Sequence, residues 1–139
     1  MVNDWQESGF IEISHTADCA IKVWASDLAG LMEESGRGMY ALMDCQVQSE
    51  PVIERYFELQ SGDAEDLVVA FLVELLHFAE KEKIGFANFN VHIDQNRLTA
   101  HLTGGHIIKL GKEIKAVTYH NLSIQQVHGR FETTIVFDV

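Results

Sequence analysis

The residues able to do chemistry sit in short polar stretches far apart along the chain. Ser14-His15-Thr16-Ala17-Asp18 lies between two runs that read as strands, so its polar side chains serve something other than a core. A carboxylate such as Asp18 at the mouth of a strand can coordinate a hard cation, or hold a loop in shape by accepting hydrogen bonds. Asp138, beside Val139, offers it a companion from the far end of the sequence. Another stretch, Lys115-Ala116-Val117-Thr118-Tyr119-His120, supplies a cation, two hydroxyls and an imidazole. Spacing leaves Lys115 three roles: neutralising an anionic cluster, contacting a phosphate, or making a surface salt bridge.

Elements that would position these residues follow from the apolar periodicity. Phe10–Ile13 reads as a short strand, and Cys19, Ile21 and Val23 alternate with Ala20, Lys22 and Trp24 as in a half-buried strand. Ser26 is a suitable N-cap for an amphipathic helix through Leu28, Leu31, Met32, Met39, Leu42 and Met43, in which Gly36 and Gly38 predict a kink or a close contact. Ile53, Phe57 and Leu59 mark a strand with Arg55 on its apolar side. Asp63 and Asp66 open a strongly apolar helix that runs to about Lys83, with Gly85 as its stop.

The last part of the chain reads as strands. Phe89, Val91 and Ile93 lead through a Gln95-Asn96 turn to Leu98, Ala100 and Leu102, the clearest hairpin in the sequence. That register puts His92 and His101 on one polar face, where a zinc pair must be weighed, although no third ligand of matching spacing accompanies them. Gly104-Gly105 opens a loop through Gly111, and its glycines fit neither phosphate-cradling pattern, so no nucleotide is implied. A final strand pair holds Ile124 on one side of a turn at Gly129 and Phe131, Ile135 and Phe137 on the other.

Composition bounds the rest. With 139 residues, 47% of them hydrophobic, one proline and no low-complexity tract, the chain reads as a single domain, 1–139, able to bury its own core. The sequence predicts α+β architecture, two main helices packed on mostly antiparallel sheet. No signal peptide and no membrane span is expected, and Cys19 and Cys45, outside any CxxC pair, suit free thiols in a cytoplasm. The net charge of −11, with only ten Lys and Arg scattered along the sequence, argues against direct nucleic-acid binding. It favours solubility, and attraction to a basic protein surface, including that of an RNA-binding protein.

His15-Thr16-Ala17-Asp18, Lys115-Ala116-Val117-Thr118-Tyr119-His120 and the ending Phe137-Asp138-Val139, in this order and spanning nearly the whole chain, resemble the archease family. The resemblance implies a small α+β protein that activates an RtcB-type RNA ligase in tRNA splicing and RNA repair, promoting the ligase's guanylylation and multiple turnover without being an enzyme itself. It reaches RNA only through the ligase. By the same resemblance Asp18, Asp138 and Val139 match the family's metal site, and Asp18, Lys115 and Asp138 match the positions needed for activation. His15, Thr118, Tyr119 and His120 match motif positions without assigned roles. Two departures, Ser14 where an acidic residue commonly stands and Gly105 where a glutamate often stands, leave the implied ligands untouched.

Three hard oxygen donors of this kind repel one another unless a cation sits among them. They suit a divalent cation, calcium first and magnesium second, better than zinc. Two other classes compete with the activator. A metal-dependent phosphohydrolase-like enzyme would use His15 or His120 as general base and Lys115 on a phosphoryl oxygen, but no nucleophile elbow or phosphate loop accompanies them. A chaperone-like binding module would show a contiguous exposed apolar patch.

Overall fold

The computed structural model describes residues 7–14 and 19–139. Along the chain run β1 (Gly9–Ser14), β2 (Cys19–Ala25), α1 (Leu28–Leu42), β3 (Cys45–Val47), β4 (Ile53–Gln60), α2 (Ala64–His77), β5 (Ile84–Asp94), β6 (Arg97–Leu110), β7 (Ala116–Val117), β8 (Gln125–Val127) and β9 (Arg130–Asp138). All pairings among the described residues are antiparallel and form two sheets. In the first, β2 lies between β1 and β9, while β7 and β8 take the two ends of the other edge of β9. In the second, the long β6 pairs with β5 on one side and with β4 and β3 on the other. Helix α1 packs on β1 and β2 and reaches β5, and α2 bears on α1, β4 and β7. This is the α+β arrangement of two helices on antiparallel sheet that the periodicity predicts.

Each helix begins where a carboxylate can satisfy its free amides. Asp27, not Ser26, caps α1, its Oδ1 accepting from the Gly30 amide at 2.7 Å, and Asp63 caps α2 by accepting from Asp66 at 2.8 Å. The second helix runs to Lys83 as predicted, but Gly85 is not its stop. It passes into a π-helical turn at Phe78–Glu82 and stops at Lys83, which takes the left-handed conformation at φ 59°. Gly85 lies within β5, where a side chain would meet Val47 and Cys45.

The glycine-rich stretch at 104–105 is strand rather than loop. A Cβ on Gly104 would strike the Gly85 carbonyl and one on Gly105 the Gln48 carbonyl, so β6 carries glycine where other backbone crosses close to it. Gly36 and Gly38 mark close contacts, not a kink: a Cβ on the first would lie 2.8 Å from Phe89, and on the second 2.7 Å from Ile21. The β5–β6 turn is as predicted, with Gln95 at φ 49° and Asn96 at φ 63°, the paired positive values that match a two-residue turn to twisted strands. A bulge between Phe86 and Asn88 turns Ala87 outward, although simple alternation places it inward, and buries Phe86 with the core.

Strand β2 is more deeply buried than a half-exposed strand. Ile21, Val23 and Ala25 join the main core with Leu31, Met39, Phe71, Leu72, Ile135 and Phe137, while Ala20 and Trp24 are buried as well. β9 repeats the pattern, with Ile135, Val136 and Phe137 buried in succession.

Gly104→Ala tests the crowded crossing. With backbone of Gly85 and Phe86 in the way, the variant should lose about 3 kcal/mol in urea unfolding, the upper part of the overpacking range. Gly62→Ala, where nothing lies within 4 Å, should stay within about 0.5 kcal/mol of the parent.

Candidate functional site

The pairing of β7 and β9 determines what the late motif can do. Ala116 stands opposite Asp138 and Val117 opposite Phe137. The Lys115 amide donates to the Asp138 carbonyl at 2.8 Å, one residue out of that register, so Lys115 and Ala116 both face Asp138. The Thr118 amide donates to the Val136 carbonyl at 3.0 Å and closes the ladder. On the other edge of β9, Cys19 pairs with Phe137. The residue after Asp18 and the residue before Asp138 are therefore cross-strand neighbours. Asp138 and Val139 are exposed at this end of the sheet, as is Lys115.

The site residues divide accordingly. The structure brings Lys115 and Asp138 together through backbone, with Val139 next to them, and no ion pair joins the two side chains. Asp18 and His15 lie outside the described residues, and among the described ones no three His, Cys, Asp or Glu side chains are grouped to hold a metal. His101 is engaged elsewhere, its ring stacked 4.2 Å from that of Tyr56 and its Nε2 3.5 Å from Glu54, while His92 stands exposed opposite Thr99.

Local hydrogen bonds assign work to motif positions that spacing left open. Thr118 Oγ1 donates to the Val136 carbonyl at 2.9 Å and accepts from the His120 amide at 3.2 Å, pinning the chain as it leaves β7. The Leu122 amide donates to the Tyr119 carbonyl at 3.0 Å, with Asn121 at φ 54°, closing the turn that carries the exposed His120. This turn leans on the first turn of α2. Hydrogen bonding to Asp66, then slight desolvation and the charges of Asp66 and Asp63, hold the Tyr119 phenol above the ordinary tyrosine range. Glu65, in the same helical turn, accepts from the Ile124 amide at 2.9 Å.

Two contributors escape a reading by motif. Lys112, which belongs to none of the recognised stretches, places its Nζ 3.3 Å from Cys19 Sγ beside the β2–β9 ladder. Glu65 reads as one more acidic residue at a helix start, the place its charge favours anyway, so nothing in the sequence signals its contact with residue 124.

Comparison with known proteins places this geometry. The family model described as "Archease protein family (MTH1598/TM1083)" matches residues 10–139. Protein archease of Methanothermobacter thermautotrophicus is 33% identical over 138 residues, spanning 94% of this chain and 99% of that protein. Protein archease of Methanopyrus kandleri is 29% identical, spanning 92% and 97%. The solution structure of Methanobacterium thermoautotrophicum protein 1598 superposes with a TM-score of 0.74 at 29% identity, covering 94% of this chain and 99% of that one. A crystal structure from Thermotoga maritima, described as an archease and possible chaperone, shares the fold with a TM-score of 0.68 at 24% identity, covering 91% and 94%. The chain belongs to the archease family.

The Tyr119 environment is directly measurable. Asp66→Asn should bring the Tyr119 phenol titration down toward the ordinary tyrosine value, read by its NMR chemical shift against pH. Because the phenol is raised in the folded protein, its contribution to stability is complete below the unfolded tyrosine pKa and fades as pH rises through the folded one. Parent and variant should therefore converge in stability at strongly alkaline pH.

Proposed function

We propose that this chain is a non-catalytic activator of an RtcB-type RNA ligase in tRNA splicing and RNA repair, promoting the ligase's guanylylation and multiple turnover. The observation that carries the reading is the Lys115 amide bonded to the Asp138 carbonyl. It joins the two late motifs of an archease chain at one exposed sheet end. In this reading Asp18, Asp138 and Val139 hold a divalent cation, calcium or, second, magnesium. Lys115 acts on the ligase rather than on a residue of its own chain.

The residues present suit such an ion. Asp138 and Val139 are exposed and have no cationic side-chain partner among the described residues, leaving their oxygens available, and an ion among carboxylates would relieve their mutual repulsion. The ion would supply fixed positive charge at the sheet end, and Lys115 and Asp138 would present it to the partner. The acidic chain would be steered to a basic surface of the ligase in the cytoplasm, where Cys19 and Cys45 remain free thiols.

Two measurements test the proposal. Calcium at about a hundredfold over its Kd should stabilise the protein by about 2.7 kcal/mol, and Asp18→Ala should abolish the gain. An unchanged melting curve in saturating calcium and magnesium would remove the metal from the mechanism. In a multiple-turnover ligation assay with the cognate ligase, Lys115→Ala and Asp138→Ala should fold normally, since both positions are exposed, yet lose activation. Rising salt should weaken activation before it affects folding. Full activation by folded Lys115→Ala would overturn the role given to that lysine.

A further inference from the structure

A groove of about 790 Å³ opens beside Lys115, between the end of α2 with its π turn and the stretch from β6 to β7. Its floor is aliphatic, formed by Val73, Leu76, Ile107, Leu110, Ile114 and Val117. This size lies within the range of built binding sites. The wall is irregular where it matters: the π turn interrupts α2 there, and Lys83, at the rim, holds a left-handed conformation that a lysine rarely adopts.

The lining of the groove holds two lysines, Lys83 and Lys115, and two glutamates, Glu80 and Glu113, but the segments that carry it are richer in lysine than the rest of this acidic molecule. Of the ten Lys and Arg, Lys22, Arg37, Arg55, Arg97 and Arg130 make ion pairs with carboxylates. The other five, Lys81, Lys83, Lys109, Lys112 and Lys115, make none with a described residue. All of these stand on the segments that wall the groove, Lys83 and Lys115 within its lining and Lys112 with its Nζ 3.3 Å from Cys19 Sγ. Glu80, Glu82 and Glu113 stand on the same segments, but Glu82 is held by Arg55 at 2.8 Å. Lys83 Nζ donates to the Glu80 carbonyl at 2.8 Å, and His77 adds a titratable group to the rim. A chain of net charge −11 thus carries five of its ten Lys and Arg on the two segments that wall one apolar groove.

We propose that this groove docks a segment of the protein partner that combines aliphatic side chains with Asp or Glu. The aliphatic residues would fill the floor and the carboxylates would meet the lysine rim. A single-stranded RNA would also answer the lysines, but bases are held by stacking on aromatic side chains or arginine, and among the described residues the groove lining holds no Phe, Tyr, Trp or Arg. The inference deepens the activator reading and rests on it for the identity of the partner, since it gives the acidic chain a second contact of opposite sign next to Lys115.

Two arms test it. In multiple-turnover ligation, Lys81→Glu/Lys83→Glu, both at exposed positions, and Leu110→Glu should raise the concentration for half-maximal activation roughly tenfold, and Tyr56→Glu, on β4 and outside the groove lining, should not. A photo-crosslinker at position 110 should capture a ligase segment rich in aliphatic and acidic residues. Unchanged half-saturation in the groove variants, or capture of RNA, of a basic segment or of a second copy of this chain, would overturn the proposal. The second arm needs no ligase. A labelled leucine/glutamate peptide should bind the protein by fluorescence anisotropy and weaken with Lys81→Glu/Lys83→Glu, whereas equal or tighter binding of a leucine/lysine peptide would overturn the assignment. If the unaltered protein activates no ligase, the activator reading fails alone and the peptide arm decides the groove.

Discussion

Strand β9 is the constraint on which the rest depends. It has β2 along one edge and β7 and β8 at the two ends of the other, so both of its edges are engaged within the protein. Its side chains Ile135, Val136 and Phe137 are buried whichever face they take. A strand fixed in this way holds its register through ladders on both edges. Register is therefore the means by which distant motifs meet: Cys19 opposite Phe137, and Lys115 beside Asp138, follow from hydrogen-bond ladders and not from any attraction between the functional side chains. Substitutions at those side chains can act on function while leaving the ladder in place.

The helices are held to the sheets by missing side chains as much as by present ones. Gly36 lets Phe89 of β5 approach α1, and Phe89 lies within an aromatic series, its ring centroid 6.3 Å from Tyr40 and 6.5 Å from Phe71. Arg37 stands 5.2 Å over the same ring, and Glu33, one turn earlier, accepts from the Val91 amide at 3.0 Å. One face of α1 thus supplies space, a cation and an acceptor to a single strand, and the Glu33 contact also uses an amide on the β5 edge that would otherwise invite another strand. Gly38 does the same for the first sheet through Ile21 and Phe10, so α1 joins the two sheets. Burial raises the Tyr40 phenol far above its ordinary titration range, the expected consequence of seating a hydroxyl in this core.

Regular parts of this fold were legible in the sequence because period and turn chemistry agreed. The Gln95-Asn96 hairpin, the Asp63 cap and the apolar face of α2 were readable at the level of residues. Misreadings arose where long-range contact overrode local preference. Gly104 and Gly105 resemble a loop until β5 and Gln48 are placed against them, and Gly85 resembles a helix stop until Lys83 takes the left-handed turn instead. β2 looked half exposed because alternation along one strand cannot report that its second face is buried as well. Of the site, residue types and the three motifs were visible, but the meeting of Lys115 with Asp138 depends on a two-residue strand, too short to leave a periodic signal. The roles of Thr118 and Tyr119 were hidden for a related reason: their partners, Val136 and Asp66, lie on other elements.

Electrostatics divides the molecule in a way composition conceals. Net charge treats the lysines as a minority diluted among acids, yet folding gathers the ones without ion pairs among the described residues onto two neighbouring segments, 78–83 and 109–115. The remaining cations are taken up by carboxylates, where exposed pairs such as Arg97 with Glu58 contribute little to stability. Lysines kept apart from such pairs need not first leave a carboxylate of their own chain to meet a partner, although Lys83 and Lys112 hold weaker contacts to the Glu80 carbonyl and Cys19. At distances beyond about 10 Å in 0.1 M salt the overall negative field is screened, so in the proposed docking approach and seating would answer to different charges: the acidic surface would guide encounter, and the lysines beside the groove would act at contact. Lys115 belongs to the groove lining and to the β7–β9 junction at once, so a single backbone hydrogen bond separates the groove from Asp138.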